Sequence, residues 1–262
     1  MNELAAFSTI SFWTFILVFA RVSALFVSAP VFGSPSIPAQ VKVGLSLVIT
    51  YALVPVVRPT LGSVVPTTLY DGVVAIAGQI VIGLVIGFVV TLLFEAVRIA
   101  GGILDYQMGF TQAAIFNPQF NEAVSPVANF QYQYAIVIYL LANGHWLLLA
   151  ALQRSFIALP AAHLALGGHA AGAMTDLTFQ MLVAAVQIAA PGAAVLLITD
   201  IAFAFLNRAV PQMQVYFVGM PVKILVGLGV LLVVLPMFTI VVGHMVTLST
   251  NNVFTALRGM RQ

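Results

Sequence analysis

Four ionisable side chains lie within or beside long apolar stretches of the chain. Arg21 lies deep in the first stretch and Asp200 in the fifth, while Arg208 and Lys223 lie near the ends of the last two. An ionisable group at membrane depth costs at least about 3 kcal/mol unless it is paired or hydrated. Arg21 and Asp200 are therefore predicted to face protein partners or an aqueous passage. For Arg208 and Lys223, extension of the side chain toward a nearby interface is an equally good interpretation.

The remaining polar residues show no pattern typical of catalysis or metal binding. Glu95 and Arg98 stand three residues apart on a predicted helix, where they can form a modest structural ion pair. No two carboxylates have a spacing that suggests an acid–base couple. The histidines have no metal-ligand spacing, and no phosphate-binding glycine pattern or nucleophile motif is present. These histidines are His145, His163, His169 and His244. The sequence predicts no enzymatic activity, no cofactor and no metal.

The composition indicates which elements must position these side chains. Of 262 residues, 62% are hydrophobic and only 6% are charged, whereas soluble domains contain about 25% charged residues. Only helices and closed barrels satisfy every backbone group in lipid, and the apolar runs lack the two-residue alternation of a membrane barrel. The nine basic residues are scattered singly, which argues against a nucleic-acid partner. The predicted fold class is an all-α, integral membrane-type helical protein.

Six apolar segments are predicted to form the membrane-type helices. The fifth and sixth exceed the roughly 20 residues that span a bilayer, and Pro191 and Pro236 within them predict kinks. Gly83 and Gly87 form a GxxxG motif, which favours close approach of a second helix. Proline and glycine clusters predict three loops at 30–38, 58–68 and 161–175. The apolar segments are about 7–29, 41–57, 73–94, 132–152, 179–206 and 215–246.

The stretch 95–131 differs from both the spans and the loops. It begins helically up to Gln107 and then becomes apolar and aromatic, broken by Gly109 and Pro118. This part is too short to span a membrane and too apolar for an ordinary solvent loop. It is therefore the least ordinary stretch of the chain.

Four blocks of residues match, in order and spacing, the motifs of one known family. The main block is Leu206–Ile224, which contains Asn207-Arg208-Ala209-Val210-Pro211-Gln212 and ends in Gly219-Met220-Pro221-Val222-Lys223-Ile224. Phe19-Ala20-Arg21 followed by Ala29–Gly33 is similar to the family's first helix and turn. Glu95–Gly109 resembles the end of its central helix, and Asn143-Gly144-His145 its short polar motif. Together the four blocks cover nearly the whole chain and resemble the FliR/SctT family of type III secretion export gates.

The resemblance implies a subunit of a helical export-gate cone in the bacterial inner membrane, within the flagellar basal body. It implies a FliP-like part over 1–178, with a central plug loop at about 109–122, joined to a FliQ-like long helical hairpin over 179–262. One copy would pack with several copies of FliP and FliQ. FlhB would wrap the base, FlhA would lie nearby, and rod or adaptor proteins such as FliE would start on top. The cargo would be unfolded exported proteins.

The same resemblance assigns roles to particular residues. The plug candidates, by position in the family, are Gly109, Phe110, Ile115, Phe116 and Phe120, and apolar side chains can close a pore by dewetting it. An alternative is an interfacial loop that packs on lipid or on a neighbouring subunit. In a cone of packed subunits, the polar residues of the apolar segments would meet protein and water. These are Arg21, Glu95, Arg98, Asn143, His145, Asp200, Arg208, Gln212 and Lys223.

Two other functions fit parts of the pattern. The injectisome counterpart of the same family would share all of this physical chemistry. A secondary transporter also has broken helices and intramembrane charges, but it predicts inverted repeats and a ligand site near the bilayer midplane. The sequence shows no such repeat.

Overall fold

The computed structural model describes residues 2–61, 66, 68–110, 125–160, 168–210 and 215–260. Within these ranges every regular element is a helix and no strand occurs, so the all-α prediction is confirmed. The helices are α1 (Asn2–Ser28), α2 (Ala39–Leu61), α3 (Leu69–Met108), α4 (Pro126–Leu141), α5 (Gly144–Ala158), α6 (Gly168–Ala209) and α7 (Val215–Gly259).

Five of these helices, α1, α2, α3, α6 and α7, are long and apolar enough to cross a membrane. A sixth crossing results if α4 and α5 form one broken span. At about 1.5 Å per residue, the 45 residues of α7 extend about 68 Å along the helix axis. That length is more than twice the roughly 30 Å hydrocarbon thickness of a bilayer.

Several helix boundaries differ from those predicted. Pro59 was predicted to lie in a loop, yet it lies inside α2, as Pro191 lies inside α6 and Pro236 inside α7. The predicted loop 161–175 is wrong in its second half, because α6 already begins at Gly168. In apolar surroundings a helix satisfies its backbone groups internally, and this advantage outweighs the local preference of proline and glycine for turns.

The predicted continuous segment 132–152 is also wrong. The helix stops at Leu141, and a new helix begins at Gly144 after Asn143 adopts a left-handed backbone with φ of 56°. The carbonyl oxygen of Asn143 then accepts hydrogen bonds from the backbone N–H groups of Trp146 and Leu147, at 3.0 and 3.1 Å. Asparagine tolerates this backbone better than most residues, which explains why the chain can break within an apolar run.

The chain forms two compact units that are interleaved in sequence. The first comprises residues 1–93, 143–178 and 246–262, and the second comprises 94–142 and 179–245. In the first unit α3 packs closely on α1: a Cβ at Gly83 would meet the Arg21 carbonyl oxygen, and one at Gly87 would meet Ser28. The Thr91 hydroxyl also donates to the Ser28 carbonyl at 3.0 Å. The predicted close approach at the GxxxG motif is confirmed.

Candidate functional site

The second unit joins the last turn of α3 to the first turn of α4 through one carboxylate. Asp105 is fully buried, and its two oxygens accept hydrogen bonds from the backbone N–H groups of Val127 and Ala128 at 3.0 and 2.9 Å. Ser125, at the N-cap position of α4, provides no side-chain hydrogen bond, and Pro126 has no N–H. Asp105 therefore supplies the cap that α4 lacks locally, from more than 20 residues away.

Close packing surrounds this hydrogen-bonded junction. Gly101 lies one turn before Asp105, and a Cβ there would meet the backbone of Ala128, with the Ala128 nitrogen at 2.8 Å. Met108 and Val127 belong to a buried apolar cluster with Leu104 and Leu196. The junction is thus closely packed, and the carboxylate is inaccessible to water.

The structure describes two of the five plug candidates. Gly109 follows the end of α3 with φ of +88°, a left-handed conformation that favours glycine. The Phe110 side chain is partly buried against the apolar cluster of Leu104, Met108, Val127 and Leu196. Ile115, Phe116 and Phe120 lie outside the described residues, and the plug assignment stays a prediction.

Asp200 and Lys223 form an ion pair in the second unit. Both side chains are only partly buried, at 42% and 24% exposure. The pair lines an open cavity of about 430 Å³ together with Tyr106, Gln107 and Gly109. The sequence marks both charges as unusual but does not reveal that each neutralises the other, because they lie on different helices.

Arg21 is fully buried in the first unit and is satisfied by its own chain. Its guanidinium donates to Gln79 Oε1 at 2.7 Å, to Ser155 Oγ at 2.9 Å and to the Leu159 carbonyl at 2.7 Å. It also lies 4.0 Å from the centre of the Phe156 ring, a cation–π distance. At 0% exposure the guanidinium is enclosed by its own chain, and the expected contact with a partner subunit or an aqueous passage stays a prediction.

The other predicted polar residues are more exposed. Arg98 and Glu95 form a long ion pair of 3.9 Å with side chains 61% and 40% exposed, as expected of a modest structural pair. Arg208 is exposed in the last turn of α6, where a cation is favourable. His145 is partly buried, and its Nδ1 has no hydrogen-bond partner among the described residues. Gln212 lies outside the described residues.

Sequence reasoning missed Asp105, Gln79 and Ser155, whose roles depend on contacts between distant parts of the chain. Their types carried a weak signal, because polar residues inside apolar helices need partners. Across the described ranges, no group of three or more His, Cys, Asp and Glu side chains gathers as a metal site. The arrangement there is one of helix packing, in which Arg21, Asp105 and the Asp200–Lys223 pair find partners within the chain.

Comparison with known proteins identifies related chains. The sequence profile of a family described as bacterial export proteins, family 1, matches residues 12–249. The chain is 31% identical over 242 residues to a flagellar biosynthetic protein FliR of Bacillus subtilis, covering 91% of this chain and 92% of that protein. It is 30% identical to the FliR of Escherichia coli, covering 86% and 84%. It is 33% identical to the FliR of Pectobacterium carotovorum, covering 87% and 85%.

Proposed function

The chain belongs to family 1 of the bacterial export proteins, and from that premise we propose that it is the subunit that closes the flagellar export channel at rest. The match over residues 12–249 and the FliR relatives support a subunit of the flagellar type III export apparatus. The relatives named above are flagellar, which favours the flagellar over the injectisome assignment. Its apolar helices support a membrane location, and we assign it to the bacterial inner membrane at the flagellar basal body.

The proposed partners are those of the flagellar export gate. One copy of this chain packs with several copies of FliP and FliQ. FlhB and FlhA bind nearby, and rod proteins such as FliE assemble on top. The chain acts as a structural and gating component and catalyses no reaction, while unfolded export substrates pass through the shared channel.

The proposed plug is the segment Gly109–Glu122. Its apolar composition favours dewetting of a narrow pore, and its aromatic residues, with Phe110 already folded onto an apolar cluster, can fill such a pore. Gly109 supports the assignment because its left-handed backbone redirects the chain directly after α3. The observation that carries the plug proposal is this apolar, aromatic segment between the end of α3 and the start of α4, which the Asp105 hydrogen bonds hold together.

Removing the aromatic part of the segment tests this proposal. Deletion of 115–121 in the complete gate, expressed with FliP and FliQ, is expected to raise ion leakage across the inner membrane, measured as loss of membrane potential. The matched control deletes the seven residues 161–167, which lie between α5 and α6 in the sequence. Unchanged leakage in a deletion variant that still co-purifies with FliP and FliQ would refute the plug assignment.

A secondary transporter is the alternative of a different class. It predicts a chain that is stable alone and binds a small ligand near the bilayer midplane. The export subunit is instead expected to lose solubility in detergent when FliP and FliQ are omitted. Purification with and without these partners separates the two functions.

A further inference from the structure

We propose that Asp105 is a positioning residue that fixes both ends of the Gly109–Ser125 stretch, by holding the start of α4 on the last turn of α3. This inference rests on the proposed function only in that the stretch contains the proposed plug. The two hydrogen bonds from the α4 backbone to Asp105, called the tie below, lie entirely within the described part of the second unit.

The hydrogen bonds at Asp105 join residues that a helix cap would ordinarily not join. A helix start is commonly capped by its own N-cap side chain, here Ser125, which forms no such bond. Asp105 instead accepts from Val127 and Ala128 with one oxygen each. A carboxylate at a helix N-terminus also interacts favourably with the helix dipole. The same contact therefore completes α4 and attaches it to α3.

The surroundings make this attachment durable. Asp105 is inaccessible to water, so water cannot replace its bonds to the α4 backbone. Gly101 allows the α4 backbone to approach the helix that carries Asp105, because any Cβ there would meet Ala128. Met108 precedes the stretch directly and Val127 follows it by two residues, and both pack in the same buried cluster. Charge, close approach and apolar packing all hold the two ends together.

Substitution of Asp105 by Asn tests the hydrogen bonds without disturbing the packing around them, because the two side chains have almost the same shape. An amide keeps one acceptor oxygen and turns an NH2 donor toward a backbone N–H that cannot accept it. The tie thereby loses one hydrogen bond and its charge. Asp71→Asn is the matched control, since Asp71 also accepts from a backbone N–H at a helix start, but locally, from Thr68 in the first unit.

The measurement is the distance between spin labels at Tyr106→Cys and Leu141→Cys in the complete gate purified with FliP and FliQ. The chain has no cysteine of its own, so within this chain only these two positions are labelled. Both side chains are exposed, at 69% and 78%. Leu141 lies roughly 20 Å along α4 from the Asp105 bonds, which magnifies any loosening of the helix start.

We expect Asp105→Asn to broaden the label distance distribution by about twofold, since two strong bonds become one, and Asp71→Asn to leave it unchanged. An equally narrow distribution in Asp105→Asn would overturn the inference. Full recovery on adding Ser125→Asp would also overturn it, because a local cap would then replace the tie. If Asp105→Asn alone does not assemble, the double variant Asp105→Asn with Ser125→Asp is measured in its place, and a distribution as narrow as that of the parent would overturn the inference.

Leakage measured on the same variants keeps the inference and the proposed function apart. A broadened distribution with raised leakage supports both. A broadened distribution with normal leakage supports the positioning role of Asp105 and contradicts the plug function of the segment. A narrow distribution refutes the positioning role whatever the leakage.

Discussion

Replacement of Arg21 by Lys is expected to weaken the first unit strongly, although it keeps the charge. The guanidinium bonds Gln79, Ser155 and the Leu159 carbonyl through three different nitrogens. A lysine has a single ammonium nitrogen on a flexible stem and cannot reproduce a planar fork of donors. One or two of the three buried acceptors would therefore lose their hydrogen-bond donor.

The expected magnitude follows from these contacts. A hydrogen bond to a charged group contributes about 1.5–3 kcal/mol, so loss of one or two bonds gives roughly 3 kcal/mol. Every 1.4 kcal/mol is a tenfold change in an equilibrium constant, so opening of the unit should become about 150-fold more frequent. Arg98→Lys is the control, because its side chain is 61% exposed and its ion pair is long. Such exposed pairs contribute below about 1 kcal/mol.

Thiol labelling of one buried cysteine measures this opening in the assembled gate. Ala151→Cys places the thiol at a site of 1% exposure in the first unit, so labelling requires the unit to open. The ratio of labelling rates between variant and parent then reports the change in opening free energy. A rate for Arg21→Lys within about threefold of the parent, equivalent to below roughly 0.7 kcal/mol, would refute the reasoning that three separate bonds hold this residue.

Two further predictions concern the backbone. Gly83→Ala should destabilise the first unit by about 1–3 kcal/mol, because the new methyl group meets the α1 backbone. Gly243→Ala, where a new methyl group meets no other atom, should be neutral or stabilise by up to about 1 kcal/mol. Thermal unfolding of the purified gate compares the two variants, and equal transition temperatures would contradict the close packing of α3 on α1 at Gly83. Asn143→Gly should be tolerated whereas Asn143→Val should lose about 1–2 kcal/mol, since a β-branched residue disfavours φ of 56°; the same measurement decides, and a tolerated valine would refute the strain argument.

Sequence reasoning recovered the elements whose signal is length and apolar composition. The long runs that became α3, α6 and α7 could hardly form anything else in lipid, and the Gly83–Gly87 spacing correctly indicated a close helix contact. Helix ends were less predictable. Pro59 and Gly168 are ordinary turn signals in water. In apolar surroundings, however, α2 continues through Pro59 and α6 begins at Gly168.

The hydrogen-bond partners of the buried polar residues could not be predicted from the sequence, for a different physical reason. A helix that is apolar on all sides gives no amphipathic signal, so its protein-facing side is not encoded in the periodicity. Arg21 was recognised as unusual, but Gln79 and Ser155 lie 58 and 134 residues away from it. Asp105 looked like one more residue of a helical segment, and only its contact with the start of α4 reveals its role.

The length of α7 has a consequence for how much of this protein a cell can make. About half of its roughly 68 Å exceeds what a bilayer can cover, yet most of the helix is apolar, with side chains such as Leu232 and Ile240 exposed on the single chain. Copies synthesised in excess of their companions would leave that surface bare and become targets for proteases and aggregation. Expression must therefore be matched to the supply of companion subunits, and overproduction alone should give degradation in place of surplus protein.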